Sequence, residues 1–135
     1  MTPEETVEAY YDALRAGEAL APFFVESPAT VKVGLEERLV GYAEVARGLR
    51  EQTRTTEDWT VESRDLHVVE REGGAAVGDE VALSWYDTEA FAERAARTRW
   101  SGTLVPADDG WAFAGMHVSQ ATDLDELDGT DGLDG

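Results

Sequence analysis

Residues 97–119, RTRWSGTLVPADDGWAFAGMHVS, decide how this chain is read. Two β-prone runs flank the turn-rich segment at residues 106–110, the pattern of a long hairpin. In the second run Trp111, Phe113, His117 and Ser119 share one parity. Side chains of a strand alternate between faces, so these four are expected on one side of the sheet. Aromatic rings with one imidazole among them read as the wall of a pocket.

Upstream, residues 76–87 and 59–71 read as two more long strands joined through Glu72, Gly73 and Gly74. Val77, Asp79, Val81, Leu83 and Trp85 share one parity, which sets a single carboxylate on an otherwise apolar face. Between residues 59 and 71 the apolar phase shifts from Trp59 and Val61 to Leu66 and Val68, and a bulge near Arg64 and Asp65 would reconcile the two phases. Residues 88–96 fit either a broad hairpin connection or a helical turn.

The front of the chain is helical. Thr2 suits an N-cap and Pro3 a first turn, while Glu4 and Glu5 favour the positive end of a helix. Val7, Tyr10, Tyr11 and Leu14 then form an apolar stripe ending near Gly17. Leu20, Phe23 and Phe24 suggest a short second helix broken by Pro22 or starting at it, residues 30–33 a short strand, and Tyr42, Val45, Ala46 and Leu49 the apolar face of a further helix. Gly48 weakens that helix by about 1 kcal/mol relative to alanine, which close packing would explain. Helices followed by a long antiparallel sheet give an α+β domain, residues 1–121, whose strongly curved sheet encloses the N-terminal helices. After it, ATDLDELDGTDGLDG reads as an acidic, disordered tail, residues 122–135.

Charge narrows the partners. The 135 residues carry 29 acidic against 11 basic side chains, a formal charge of −18, and Lys32 is the only lysine. Such a surface repels nucleic acids and anionic membranes. The same composition suits a halophilic setting, because the Debye length falls to about 3 Å at 1 M salt and self-repulsion is screened. The absence of cysteine removes disulfides, thiolate catalysis and cysteine-bound zinc. His67 and His117 are not in a metal-binding motif, and no glycine-rich phosphate loop is present, so neither metal nor cofactor is expected. With no signal-like or membrane-spanning apolar run, a cytoplasmic location is the expectation.

The order of elements and the terminal hairpin RTRWSGTLV-PADDG-WAFAGMHVS resemble the SnoaL-like branch of the NTF2-like superfamily, over residues 3–121. VEAYYDALRAGE is similar to the opening helix of ketosteroid isomerases and their non-isomerase relatives. The resemblance implies a cone-shaped fold and a homodimer. It also places Tyr10 at the position of the isomerases' oxyanion-hole tyrosine, but Val33 at their base and Ser101-Gly102 near their partner acid. Neither valine nor glycine can do that chemistry, so a ketosteroid-type isomerase is not expected.

His117, Asp79 and Tyr10 are the candidate catalytic groups, and Tyr11, Tyr42, Trp59, Trp85, Arg99 and Phe113 the candidate ligand contacts. An imidazole takes up and returns a proton near neutral pH, and a buried carboxylate can orient it or act as a base. Each also has a plain structural reading as a core ring, a paired carboxylate or a surface charge. The expected function is binding of an unidentified small molecule bearing a hydroxyl or carbonyl in an apolar cavity. The alternatives are an isomerase, cyclase or hydrolase using His117 with Asp79, and a non-catalytic homo-oligomerisation module.

Overall fold

A computed structural model describes residues 1–108 and 110–121; the expected acidic tail lies outside them. Helix α1 spans Pro3–Ala16, with a capping box at its start: Glu5 N donates to Thr2 Oγ1 at 3.0 Å, and Thr2 N to Glu5 Oε1 at 2.8 Å. Gly17, at φ 71°, ends it in the left-handed region that costs an L side chain strain. A 3₁₀ turn at Ala21–Phe23 follows, then strands β1 (Val31–Val33) and β2 (Arg38–Val40) and helix α2 (Tyr42–Thr55). The sheet is completed by β3 (Thr56–Ser63), β4 (His67–Arg71), β5 (Gly74–Asp87), β6 (Ala92–Ala107) and β7 (Gly110–Gln120).

The strands order as β2-β1-β7-β6-β5-β3, with β4 also pairing to β5. All pairings are antiparallel except β1 with β7. Helix α1 packs against β3, β4 and β7, and α2 against β1, β2 and β3. Val7, Tyr10, Tyr11 and Leu14 of α1 meet Val81, Leu83, Leu104, Phe113 and Met116 in the core, each at most 6% exposed. Burying a side chain of that size contributes roughly 1.5–3 kcal/mol. Gly48 is accounted for by packing: an alanine Cβ there would stand 2.6 Å from Leu39 Cδ1.

Three local departures from the sequence reading shape the molecule. The expected strand over residues 59–71 is two strands separated at residues 64–66, and both lie along β5. β2 was not foreseen, and β6 begins at Ala92, leaving only residues 88–91 as the hairpin connection. The third departure is in β7, where Thr103 of β6 faces Gly115 but Leu104 faces Phe113, so Ala114 is an extra residue. That bulge reverses the parity downstream: Phe113 points inward, and so do Met116 and Val118, while His117 is exposed. A second bulge in β3, between Glu57 and Thr60, contains Asp58 at φ 57°. Together these irregularities bend the sheet without closing it.

Candidate functional site

Asp79 sits midway along β5, 7% exposed, on the sheet face that α1 covers. Its parity with Val77 and Val81 turns it inward, as the sequence pattern indicates. Tyr11 Oη donates to Asp79 Oδ2 at 2.7 Å, Ser63 Oγ donates to the same oxygen at 2.6 Å, and Asp65 N donates to Oδ1 at 3.0 Å. An ionised carboxylate is acceptor-only, and all three neighbours supply donors. The break between β3 and β4 makes this possible: Ser63 closes β3, and the freed Asp65 amide turns onto the carboxylate instead of joining the ladder.

An apolar recess adjoins this cluster. Tyr10, Tyr11, Leu66, Val77, Trp100, Phe113 and Met116 contribute to its lining, and its volume is about 10 Å³, room for roughly one water. Tyr10 is the centre of the aromatic packing, edge-on to Phe23 at 5.4 Å, Phe113 at 5.6 Å and Trp100 at 6.0 Å. Tyr11 meets Trp100 edge-on at 5.3 Å. Burial raises the pKa of both phenols; Glu37 adds to the rise at Tyr10, and the bond to Asp79 adds to it at Tyr11. Both therefore stay protonated and able to donate over the physiological range. Gly102 belongs to the same construction, since a Cβ there would lie 2.9 Å from Gly115 O and 3.5 Å from the Phe113 ring.

Other residues expected at the site lie elsewhere. His117 pairs with Ser101 on the sheet face opposite Asp79, which shares its face with Trp100 and Val118. The His117–Asp79 pair is thus not assembled, because the extra residue at Ala114 rotates the imidazole outward. Arg99 is on that outer face too, 3.6 Å from Glu80, with 64% of its side chain exposed. Trp59 and Trp85 stack on each other at 4.7 Å, and the Trp59 indole donates to Thr56 Oγ1, so they form a separate aromatic pair and not the recess wall. Tyr42 opens α2, half-buried against the core and away from the recess. His67 is exposed beside Asp65 at 3.0 Å. Ser63 and the Asp65 amide were missed because only the register of β3 on β5 brings them to Asp79.

A larger concavity, about 120 Å³, opens on the outer face among Arg64, Glu80, Arg97 and Arg99. Arg64 pairs there with Glu62 at 2.8 Å and Arg99 with Glu80. It is far more polar than the recess and has no part of the Asp79 cluster in its lining. Among the described residues no group of side chains fits a metal ion, and no helix is long and apolar enough to cross a membrane.

Solved structures share this architecture. An NTF2-like superfamily protein from Salmonella enterica superposes with a TM-score of 0.79 at 14% identity, covering 97% of this chain and 92% of that one. A provisionally assigned dehydratase of the NTF2-like family from Streptomyces avermitilis gives 0.79 at 17% identity, covering 89% and 94%. A ketosteroid isomerase-like protein from Erwinia carotovora atroseptica gives 0.73 at 17%, covering 89% and 94%. At such identities the likeness establishes the fold alone. No match was found among curated proteins. The model of the SnoaL-like domain matches residues 4–123, and the chain therefore belongs to the SnoaL-like family.

Proposed function

We propose that this protein binds a small, largely apolar molecule carrying a hydroxyl or carbonyl group, with Tyr11, Asp79 and Ser63 as the polar anchor. The observation that carries the reading is a nearly buried carboxylate, held by two side-chain hydroxyls, beside an aromatic recess. Burying a carboxylate is costly, and an apolar residue at position 79 would serve the core without that cost. The recess holds far less than the roughly 300–1,000 Å³ of a drug-sized ligand site, so binding requires displacement of a wall. We assign that displacement to Leu66, in the break between β3 and β4, and to Trp100, both half-buried in the recess wall.

Thermal shift in 3 M potassium chloride against a panel of short alcohols, ketones and phenols tests this. A hit should raise the melting temperature in the parent and lose most of that effect in Asp79→Asn. Hits that persist unchanged in folded Asp79→Asn, or a panel without any hit, would reject the assignment.

A second reading, acid–base catalysis of an isomerase, cyclase or hydrolase type, is supported by the 2.7 Å contact between Tyr11 and Asp79. Here Asp79 takes a proton and Tyr11, whose hydroxyl donates to it, orients the carboxylate; His117 has no role. A third, a homodimer formed through the outer face, is supported by the uncovered strip containing Glu80, Arg99, Ser101 and His117. Light scattering at high salt distinguishes dimer from monomer. The acidic composition supports a saline setting.

A further inference from the structure

We propose that Lys32 is a covalent, imine-forming site for short, neutral aldehydes. The site is separate from the Asp79 cluster and stands or falls independently of the ligand reading above.

Lys32 is the only lysine of the chain, yet its side chain is 7% exposed. It lies between Leu39 of β2 and Met116 of β7 in the sheet register. Its one ion-pair partner among the described residues is Glu37, with Nζ 4.0 Å from Oε2, too long for a hydrogen bond. Nζ makes no hydrogen bond, and among the described residues no fully buried side-chain nitrogen lacks one, so the amine keeps a small solvent contact beside the 34% exposed Glu37. Gly34 keeps the approach open: a Cβ there would stand 3.3 Å from Lys32 Nζ and 3.2 Å from Glu37 Cγ. The turn is held by Gly34 N donating to Glu37 O at 2.9 Å, which fixes the carboxylate beside the end of β1 that carries the amine.

Burial lowers the pKa of Lys32, and only the charge of Glu37 opposes that fall. A larger neutral fraction makes the amine a better nucleophile. The other cationic side chains are arginines and cannot do this chemistry, because a guanidinium stays protonated. In the reaction the Nζ lone pair attacks the carbonyl carbon, and the carbonyl oxygen takes up a proton to give a carbinolamine. The nitrogen gives up its two hydrogens, the hydroxyl leaves as water, and a C=N bond remains. Glu37 is placed to carry protons between nitrogen and the departing oxygen. The 7% exposure of the Lys32 side chain restricts the carbonyl compound to a short chain, and Glu37 with the net charge of −18 disfavours anionic aldehydes.

The test uses the full chain in 3 M potassium chloride near pH 7.5, with propionaldehyde and sodium cyanoborohydride to reduce the imine as it forms. Peptide mapping separates Lys32 from the N-terminal amine, the only other primary amine. Native Lys32 should be alkylated several-fold faster than Lys32 of the same chain unfolded in urea, since burial lowers its pKa and enlarges the neutral fraction of the amine. Glu37→Gln and Gly34→Ala should each slow native labelling several-fold. Glyoxylate should label more slowly than propionaldehyde. Labelling confined to the N-terminus, or a native rate at Lys32 no faster than the unfolded one, would overturn the proposal. This comparison needs no variant, so it stands even if a substitution fails to fold.

Discussion

Replacing Tyr11 with phenylalanine removes one hydroxyl and little else. The ring keeps its edge-on contact with Trp100 at 5.3 Å, and the helix keeps its apolar stripe. What is lost is the 2.7 Å bond to Asp79 Oδ2, leaving that oxygen to Ser63 and the other to the Asp65 amide. A hydrogen bond to a charged group contributes roughly 1.5–3 kcal/mol, and a buried acceptor deprived of one donor is the costly case. Because two donors remain, a loss of about 2 kcal/mol is expected. For a domain of this size that corresponds to a fall in melting temperature of about 8 °C, at roughly 4 °C per kcal/mol. Urea unfolding in 3 M potassium chloride measures it without changing ionic strength. A double-mutant cycle with Asp79→Asn should give a coupling above about 1 kcal/mol, as expected for residues in one network. A single-variant loss below about 0.5 kcal/mol, or additive effects in the cycle, would refute the view that Tyr11 and Asp79 form one buried unit.

Gly102→Ala should cost about 1–3 kcal/mol by overpacking, since the new Cβ would meet backbone Gly115 O at 2.9 Å; denaturant melts that match the parent would count against the packing argument. His117→Ala should change stability by less than about 0.5 kcal/mol, as for other exposed positions, and leave ligand-induced shifts intact; loss of those shifts would restore the imidazole to the site. Tyr10 and Tyr11 have raised pKa values when folded, so their stabilisation is complete below the ordinary tyrosine value of 10.0 and is lost as pH rises beyond it. Lys32, lowered when folded, acts with the opposite sign only up to 10.5, so above that pH stability should fall by about 2.7 kcal/mol per pH unit, and by about half that in Tyr10→Phe. Urea melts from pH 10 upward read the slope. Melting temperature should rise between 0.1 M and 3 M potassium chloride because screening relieves repulsion among 29 carboxylates; a flat response would remove the halophilic reading.

Short-range features were legible in the residues themselves. Thr2, Pro3 and Glu5 announce the start of α1, and Gly17 its end, because capping involves atoms within one turn. The inward placement of Asp79 follows from period-two alternation in a strand without interruption. The same rule fails in β7, where one extra residue at Ala114 exchanges faces for everything after it and carries His117 out of the interior. A bulge costs little and carries no residue signature here, so alternation alone cannot locate it.

The family fold, the apolar stripe with both tyrosines and the buried carboxylate were therefore determined by the order of residues along the chain. Which hydroxyls reach that carboxylate was decided only in three dimensions. Tyr11 and Asp79 are 68 residues apart, and Ser63 reaches Asp79 only through the pairing of β3 with β5. The crowding of Lys32 likewise depends on Leu39 and Met116, brought beside it by strand pairing. Local propensities act over a few bonds, whereas partner identity at such distances is set by sheet register, which is the outcome of packing the whole core.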